Sequence, residues 1–389
     1  MSLAPDDGAT PTAAAAVGPA SSSQTTLFRR APWVDAVLPT ILLRLVVLVF
    51  AVLAVIVLET SLPAGSVLEI WNRWDAPHFF EVAQYGYGPP ADPARIVLFP
   101  LLPALIRVGS FVMQPLVAGM VISFISTLVA AAGLYRLVRM DEARPVARWA
   151  VLAMSIFPTA FTLVAPYSEG PFLAFTVWSF VAARERRWAP AGILAFLAGL
   201  TRIQGAFLLP ALLVEYWLAE RRVGRDVAWL LLAAGGPLVY LAINYVTFGD
   251  PLYFLAIQRD VFKVSTVAPW NAIGSAWNGV LVLEPSRIWA TVYLAPFVAI
   301  CVLAATTIWT VVGRHSQPSY AVYTGLTLLS FLTLSWPISV PRYLMGVFTI
   351  FIGMGVLGRK PWLGIPLFVG STLLMALATA LFVTGHWAF

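Results

Sequence analysis

A chain of 389 residues that is 60% hydrophobic and only 11% charged, with 15 Trp and 24 Phe, is not a water-soluble domain; it reads as an integral membrane protein. The formal net charge of +6 is what cytoplasmic loops and contacts to anionic membrane lipids require, and it does not point to nucleic acid.

Apolar runs of roughly 17 to 24 residues recur, each long enough to cross a hydrocarbon core of about 30 Å as a helix. Barrel strands would alternate in polarity instead of forming unbroken apolar blocks. The expected fold is therefore all-α and polytopic, with about eleven transmembrane helices and interfacial helices in the external loops. The single cysteine, Cys301, lies inside an apolar run and excludes an intrachain disulfide framework.

In chain order, residues 1–30 are rich in Ala, Pro, Ser and Thr and read as a disordered tail, not a signal peptide. Residues 31–389 read as one transmembrane domain. Its first span, 38–58, follows Arg29 and Arg30, which sets the N-terminus in the cytoplasm. The next segment, 59–114, is then an external loop. It carries the polar and aromatic stretch 71–103, where Asp75, His78, Glu81, Asp92 and Arg95 stand close together in a chain that spends few charges. FPLLPALIRVGSF, with two prolines and Arg107, reads as an interfacial helix and not as a span.

Ten further spans are expected near 115–138, 146–164, 169–184, 188–201, 203–219, 227–247, 289–312, 319–336, 341–358 and 362–384, with 188–201 the shortest. A second long external segment, 248–288, combines DPLYFLAIQRDVFK with Trp270 and Trp277 and reads as an interfacial cap. Alternating these spans puts 15 of the 24 Lys and Arg on the cytoplasmic side. Arg44 falls within the first span, and eight lie outside: Arg73, Arg95, Arg107, Arg202, Arg259, Lys263, Arg287 and Arg342. Reading 99–138 as two spans would turn Arg136 to Arg148 outward and abolish the bias, so one span is expected there.

The same alternation brings five polar clusters to the external face: the 71–103 stretch, PYSEGP with Glu169, LTRIQG with Arg202 and Gln204, the loop with Gln258, and VPRYL with Arg342. Charged groups near membrane depth are expensive, so their convergence marks a candidate site. Asp75 is suited to act as a general base on a hydroxyl, or it caps an interfacial helix whose first turn holds Pro77. Arg95, Arg202 and Arg342 either clamp a phosphate or snorkel to headgroups. Glu169 either joins the site or is an acidic first-turn residue, and His78 either binds a metal or a leaving phosphate or is a hydrogen-bonded anchor. No HExxH, CxxC or paired-carboxylate loop supports a metal cage.

The order WDAPHF, YGY, FPLLPALIR, YSEGPF, LTRIQG and PRYL, spread over about residues 70 to 345, resembles the PIG-V-like mannosyltransferases, polytopic glycosyltransferases of the GT-C class. The resemblance implies transfer of mannose from a polyprenyl-phosphate carrier to a lipid-linked or other glycan acceptor, on the non-cytoplasmic face of the cell membrane. It puts the essential acid of the first external loop at Asp75 and matches His78 to the histidine after the WD pair, while SEGP and TRIQG match weaker motifs without individual roles; with the polar clusters of the same face, donor binding is expected at His78, Arg95, Glu169, Arg202, Gln204, Gln258 and Arg342. Many enzymes of the class show two neighbouring acids in this loop; here the second would be Glu81 or Asp92. That leaves a divalent metal open, and no cofactor is firmly implied. The alternatives are a GT-C enzyme using another polyprenyl-phosphate sugar, and a membrane transporter or lipid flippase.

Overall fold

Proline sets where many of the helices begin. The helices Pro115–Arg139, Arg144–Ile156, Pro269–Leu281, Pro318–Leu332 and Pro361–Val383 each carry a proline in the first turn. There the missing N–H costs nothing and the fixed φ already suits a helix. The computed structural model describes residues 33–59, 66–282, 288–313 and 317–389. The tail expected over 1–30 lies outside the described residues, as do Arg29, Arg30, Arg287 and Arg314 of the charge count. Among the described residues all regular elements are helical, and one isolated bridge joins Thr266 to Leu334.

Each of the eleven apolar runs is helical, but they differ in length. Five helices are long and apolar enough to cross a bilayer: Val34–Glu59, Pro115–Arg139, Arg225–Phe248, Ala290–Val312 and Pro361–Val383. Val340–Gly346 and Phe348–Gly358 qualify only as a pair, across an 80° bend. The other runs form the helices Arg144–Ile156, Glu169–Arg184, Trp188–Gly199, Leu208–Glu220 and Pro318–Leu332, of 12 to 16 residues. The all-α, polytopic architecture expected from the sequence is present, and the shorter helices keep close to their expected bounds, as Glu169–Arg184 does. Hydropathy measures how apolar a segment is and not whether it faces lipid, and a helix enclosed by others need not match the bilayer thickness.

Glu169–Arg184 shows this. Thirteen of its 16 residues are buried, which is how a helix that is apolar on all sides is accommodated. By contrast Leu42, Val46, Val49, Leu53 and Val57 of the first span are all more than half exposed, as a lipid-facing surface requires. The enclosed helix approaches Pro115–Arg139 so closely at Gly170 that a Cβ there would lie 3.1 Å from the Ser123 carbonyl oxygen. Small residues at such crossings let apolar helices gain dispersion contacts along their length.

At about 1.5 Å per residue the same helix separates two polar layers by roughly 22 Å. Glu169 stands at one end. At the other, Arg184 pairs with Asp141 at 2.7 Å and with Glu215 at 3.3 Å. Arg136 pairs with Glu185 at 2.6 Å in that second layer. Arg44, the one charge expected well inside a span, is fully buried and donates to the carbonyl oxygens of Ser155 and Ala160. It thereby satisfies acceptors where helix Arg144–Ile156 ends, a favourable place for a cation. The segment read as interfacial forms the short helix Leu101–Gly109, which buries Leu102, Pro103 and Ile106 and precedes a single span.

Candidate active site

The chain enters the helix Asp75–Tyr85 through Trp74, which has φ 54° and ψ −108°. For a bulky residue that conformation costs on the order of 1–3 kcal/mol, so its surroundings must hold it. Tyr167 does so. Its hydroxyl donates to the Arg73 carbonyl at 3.1 Å and accepts from the Asp75 N–H at 3.4 Å, bracketing Trp74 on both sides. Tyr167 is itself 1% exposed. Asp75 is consequently the first helical residue and not the cap. No side-chain cap bond forms there, which removes the capping alternative.

The Asp75 carboxylate turns instead to Arg342, whose Nη1 donates to Oδ2 at 2.7 Å. Arg342 reaches this position because Val340–Tyr343 is a single helical turn before the 80° bend, which takes the side chain inward. Its Nε lies 3.0 Å from Glu169 Oε1 without an aligned hydrogen bond. The same Oε1 accepts from Arg202 Nη1 at 2.7 Å, and that nitrogen also lies 3.2 Å from Ser168 Oγ. Asp75, Arg342, Glu169 and Arg202 thus form one chain of alternating charge that sums to zero. Aromatic rings surround it: Phe389, Tyr167 and Tyr343 lie 4.7, 5.1 and 5.2 Å from the Arg342 guanidinium carbon, and Tyr343 also lies 4.3 Å from that of Arg202. Such faces stabilise a desolvated cation. Exposure is uneven along the chain: the Asp75 side chain is 32% exposed, against 8% for Arg342, 2% for Glu169 and 11% for Arg202. The open end is the carboxylate.

The remaining expected residues fall outside this network. Gln204 is buried in the turn Ile203–Phe207 next to Arg202, and its side-chain oxygen has no hydrogen-bond partner. Arg95 is held by Glu81 at 2.7 Å and by Asp92 at 3.4 Å, which brings together three charges of the 59–114 segment as a clamp. The Arg95 hydrogen bond holds the Glu81 carboxyl below its ordinary value. Gln258 lies half-buried on Tyr253–Asp260, a helix that packs through Ile257 against Ala94 and Ile96. It therefore belongs with Arg95 and not with Asp75. His78 sits one turn after Asp75, half-buried. Burial first, and the Arg95 charge second, hold its imidazole below the ordinary value, so it is neutral near pH 7 and offers one N–H in place of a cation.

These acids do not form a metal cage. One Asp75 oxygen is engaged by Arg342, Glu169 serves two guanidiniums, and Glu81 and Asp92 are tied to Arg95. Among the described residues no three His, Cys, Asp or Glu side chains converge, so no step is derived through a metal. Sequence reasoning passed over Tyr167, although it stands two residues before Glu169 within PYSEGP, and Tyr343, which follows Arg342 directly. Nothing in the sequence marks Phe389.

Neither a protein-family model nor a curated protein matches this chain. Among solved structures it is similar to the Archaeoglobus fulgidus oligosaccharyltransferase in complex with Zn and sulfate. Identity there is 15% over 86% of this chain and 53% of that one, with a TM-score of 0.41. For the same enzyme tethered to an acceptor peptide containing the NVT sequon, identity is 13% over 89% and 55%, with a TM-score of 0.42. The chain spans about half the length of the proteins to which it is similar.

Proposed function

We propose that this chain is a membrane glycosyltransferase that moves mannose from a polyprenyl-phosphate donor to a hydroxyl of a lipid-linked or other glycan acceptor, on the external face of the cell membrane. The observation that carries the reading is the partly exposed Asp75 carboxylate at the open end of the buried Arg342, Glu169 and Arg202 chain. Asp75 Oδ2 is held by Arg342; Oδ1 is the oxygen that takes the proton of the acceptor hydroxyl. The acceptor oxygen bonds to the anomeric carbon as the bond from that carbon to the phosphate oxygen breaks, with inversion. One base suffices, because a phosphate leaves without needing an acid to protonate it.

Charge balance favours this step. The network is neutral with Asp75 ionised and carries +1 once Asp75 is protonated. In the same step the phosphate changes from a diester with one negative charge to a monoester with two. Positive charge therefore appears in the protein as negative charge appears on the leaving group, in a partly desolvated site where the attraction is strong. His78 supplies a neutral N–H donor close to the base, and the unpartnered Gln204 oxygen suits a hydroxyl donor.

The test is transfer by Asp75→Asn, which keeps the shape and removes the base, in membranes given a panel of labelled polyprenyl-phosphate sugars. Loss of transfer by roughly a hundredfold or more is expected, with the mannosyl donor preferred. A near-normal rate in this variant would show that Asp75 is not the base, and preference for a pentose donor would reassign the sugar.

A further inference from the structure

On the layer opposite Asp75, the first span and helix Arg144–Ile156 run side by side. Asp35 meets Arg144 at one end, and Arg44 meets the Ser155 carbonyl further along. Between them lies a half-open cavity of about 340 Å³ lined by Asp35, Pro39, Leu43, Arg148, Leu152 and Ser155, among others. Lining positions 39 and 43 on the first span, and 148, 152 and 155 on helix Arg144–Ile156, succeed one another about a turn apart, so the groove follows both helices and its walls between Asp35 and Ser155 are largely apolar. The two ends are polar in different ways. At the outer end Asp35 is 4% exposed and saturated: it accepts from Tyr135 at 2.7 Å and takes two bonds from Arg144, at 2.5 and 2.9 Å. Arg148 is left with only a loose approach to Asp35, at 3.8 Å, while its side chain is 63% exposed. Towards the inner end Ser155 is fully buried, and its hydroxyl has no hydrogen-bond partner.

We infer that this groove holds one acyl chain of an anionic phospholipid, with the lipid phosphate on Arg148. The occupant follows from the chemistry of the walls. A cavity of this size is large enough for a ligand, and an apolar slot parallel to the spans matches a chain lying along the bilayer normal. A weakly paired guanidinium at its mouth, rigidly backed by the Asp35–Arg144 pair, gives the phosphate a fork to bind. A soluble anion would use Arg148 but gain nothing from Leu43, Leu152 or the depth of the groove. The site shares no residue with the Asp75 network, so it stands or falls independently of the proposed transferase activity.

The full chain is reconstituted in phosphatidylcholine nanodiscs containing phosphatidylglycerol, and lipid retained after delipidation is measured by native mass spectrometry. The wild type is expected to hold one phosphatidylglycerol. Arg148→Gln, an exposed substitution that leaves Arg144 and Asp35 intact, is expected to weaken retention about fivefold, the effect of one basic contact to an anionic headgroup. Leu152→Trp fills the groove and is expected to abolish retention, with Leu43→Phe as the second filling variant should Leu152→Trp melt early. Retention unchanged in Arg148→Gln would overturn the proposal. So would lipid loss in Arg148→Gln with full retention in a folded filling variant, because charge alone would then be at work. Displacement of the lipid by millimolar glycerol phosphate would also overturn it, since that would define a soluble-anion site.

Discussion

Arg342 Nη1 lies 2.7 Å from Asp75 Oδ2 across 267 residues of sequence, and its Nε lies 3.0 Å from Glu169. One guanidinium thereby aims the proposed base and joins it to the second buried acid. A lysine at 342 would keep the charge but offer a single point, unable to face both carboxylates as a fork does. Arg342→Lys is expected to fold and to lose transfer by roughly a hundredfold, comparable to removing one positioned donor from a charge-stabilising site. Steady-state kinetics with labelled donor check this. A rate within a few-fold of wild type would mean that Arg342 merely neutralises Glu169.

Tyr167 acts through Asp75 without facing the substrate. Its hydroxyl brackets the left-handed Trp74 through Arg73 and Asp75. Tyr167→Phe keeps the ring against Arg342 and removes both bonds, at a cost of about 1 kcal/mol each. The helix start should then relax and the carboxylate lose its aim. The expected signature is a lower kcat with an unchanged KM for the donor, whereas a purely structural role would move the melting temperature and leave that ratio alone.

How much of this was legible in the sequence can be judged residue by residue. Glu169, Arg202 and Arg342 stood out because each is a charge beside an apolar run, and membrane burial makes such charges meaningful. Their partners did not stand out, since pairing across 33 residues for Arg202 and Glu169, or 267 for Arg342 and Asp75, is decided by packing and leaves no local pattern. Asp75 carried two readings because an acid ahead of Pro77 fits a cap as well as a base. The Trp74 turn and Tyr167 remove the cap, and the role as base stays a proposal. Gln258 looked equivalent to the rest because parity gives a side of the membrane and no lateral position. The helical runs were all visible, and 169–184 even in its length, yet which of them are enclosed was not, because enclosure by neighbours is not written in hydropathy.

Glu169 balances two arginines at once through a single oxygen. Glu169→Gln would leave Arg342 with Asp75 and Arg202 with no carboxylate, in a pocket where an uncompensated buried charge costs on the order of 3–5 kcal/mol. A large fall in the detergent melting temperature is expected, with Glu169→Asp intermediate because the shorter side chain keeps the charge. If Glu169→Gln melts like the wild type, the network contributes no stability, and Glu169 should be reconsidered as a substrate ligand.

The loop that carries His78 and Glu81 has its own pH signature. His78 titrates below its ordinary value because burial and Arg95 disfavour the imidazolium, so between the folded value and about 6.5 the unfolded chain binds the extra proton. Stability therefore rises with pH across that window and is lost as pH falls through it. Glu81 behaves with the same sign at lower pH: the Arg95 bond depresses its carboxyl, giving stability that is present above its ordinary value and lost as pH drops towards the folded one. Melting measured from pH 7.5 down to about 2.5 should fall in two stages, the second only below about 4.5. His78→Gln should remove the first stage and leave the second, while Glu81→Gln should do the reverse. A first stage that survives His78→Gln would assign that proton elsewhere in the loop.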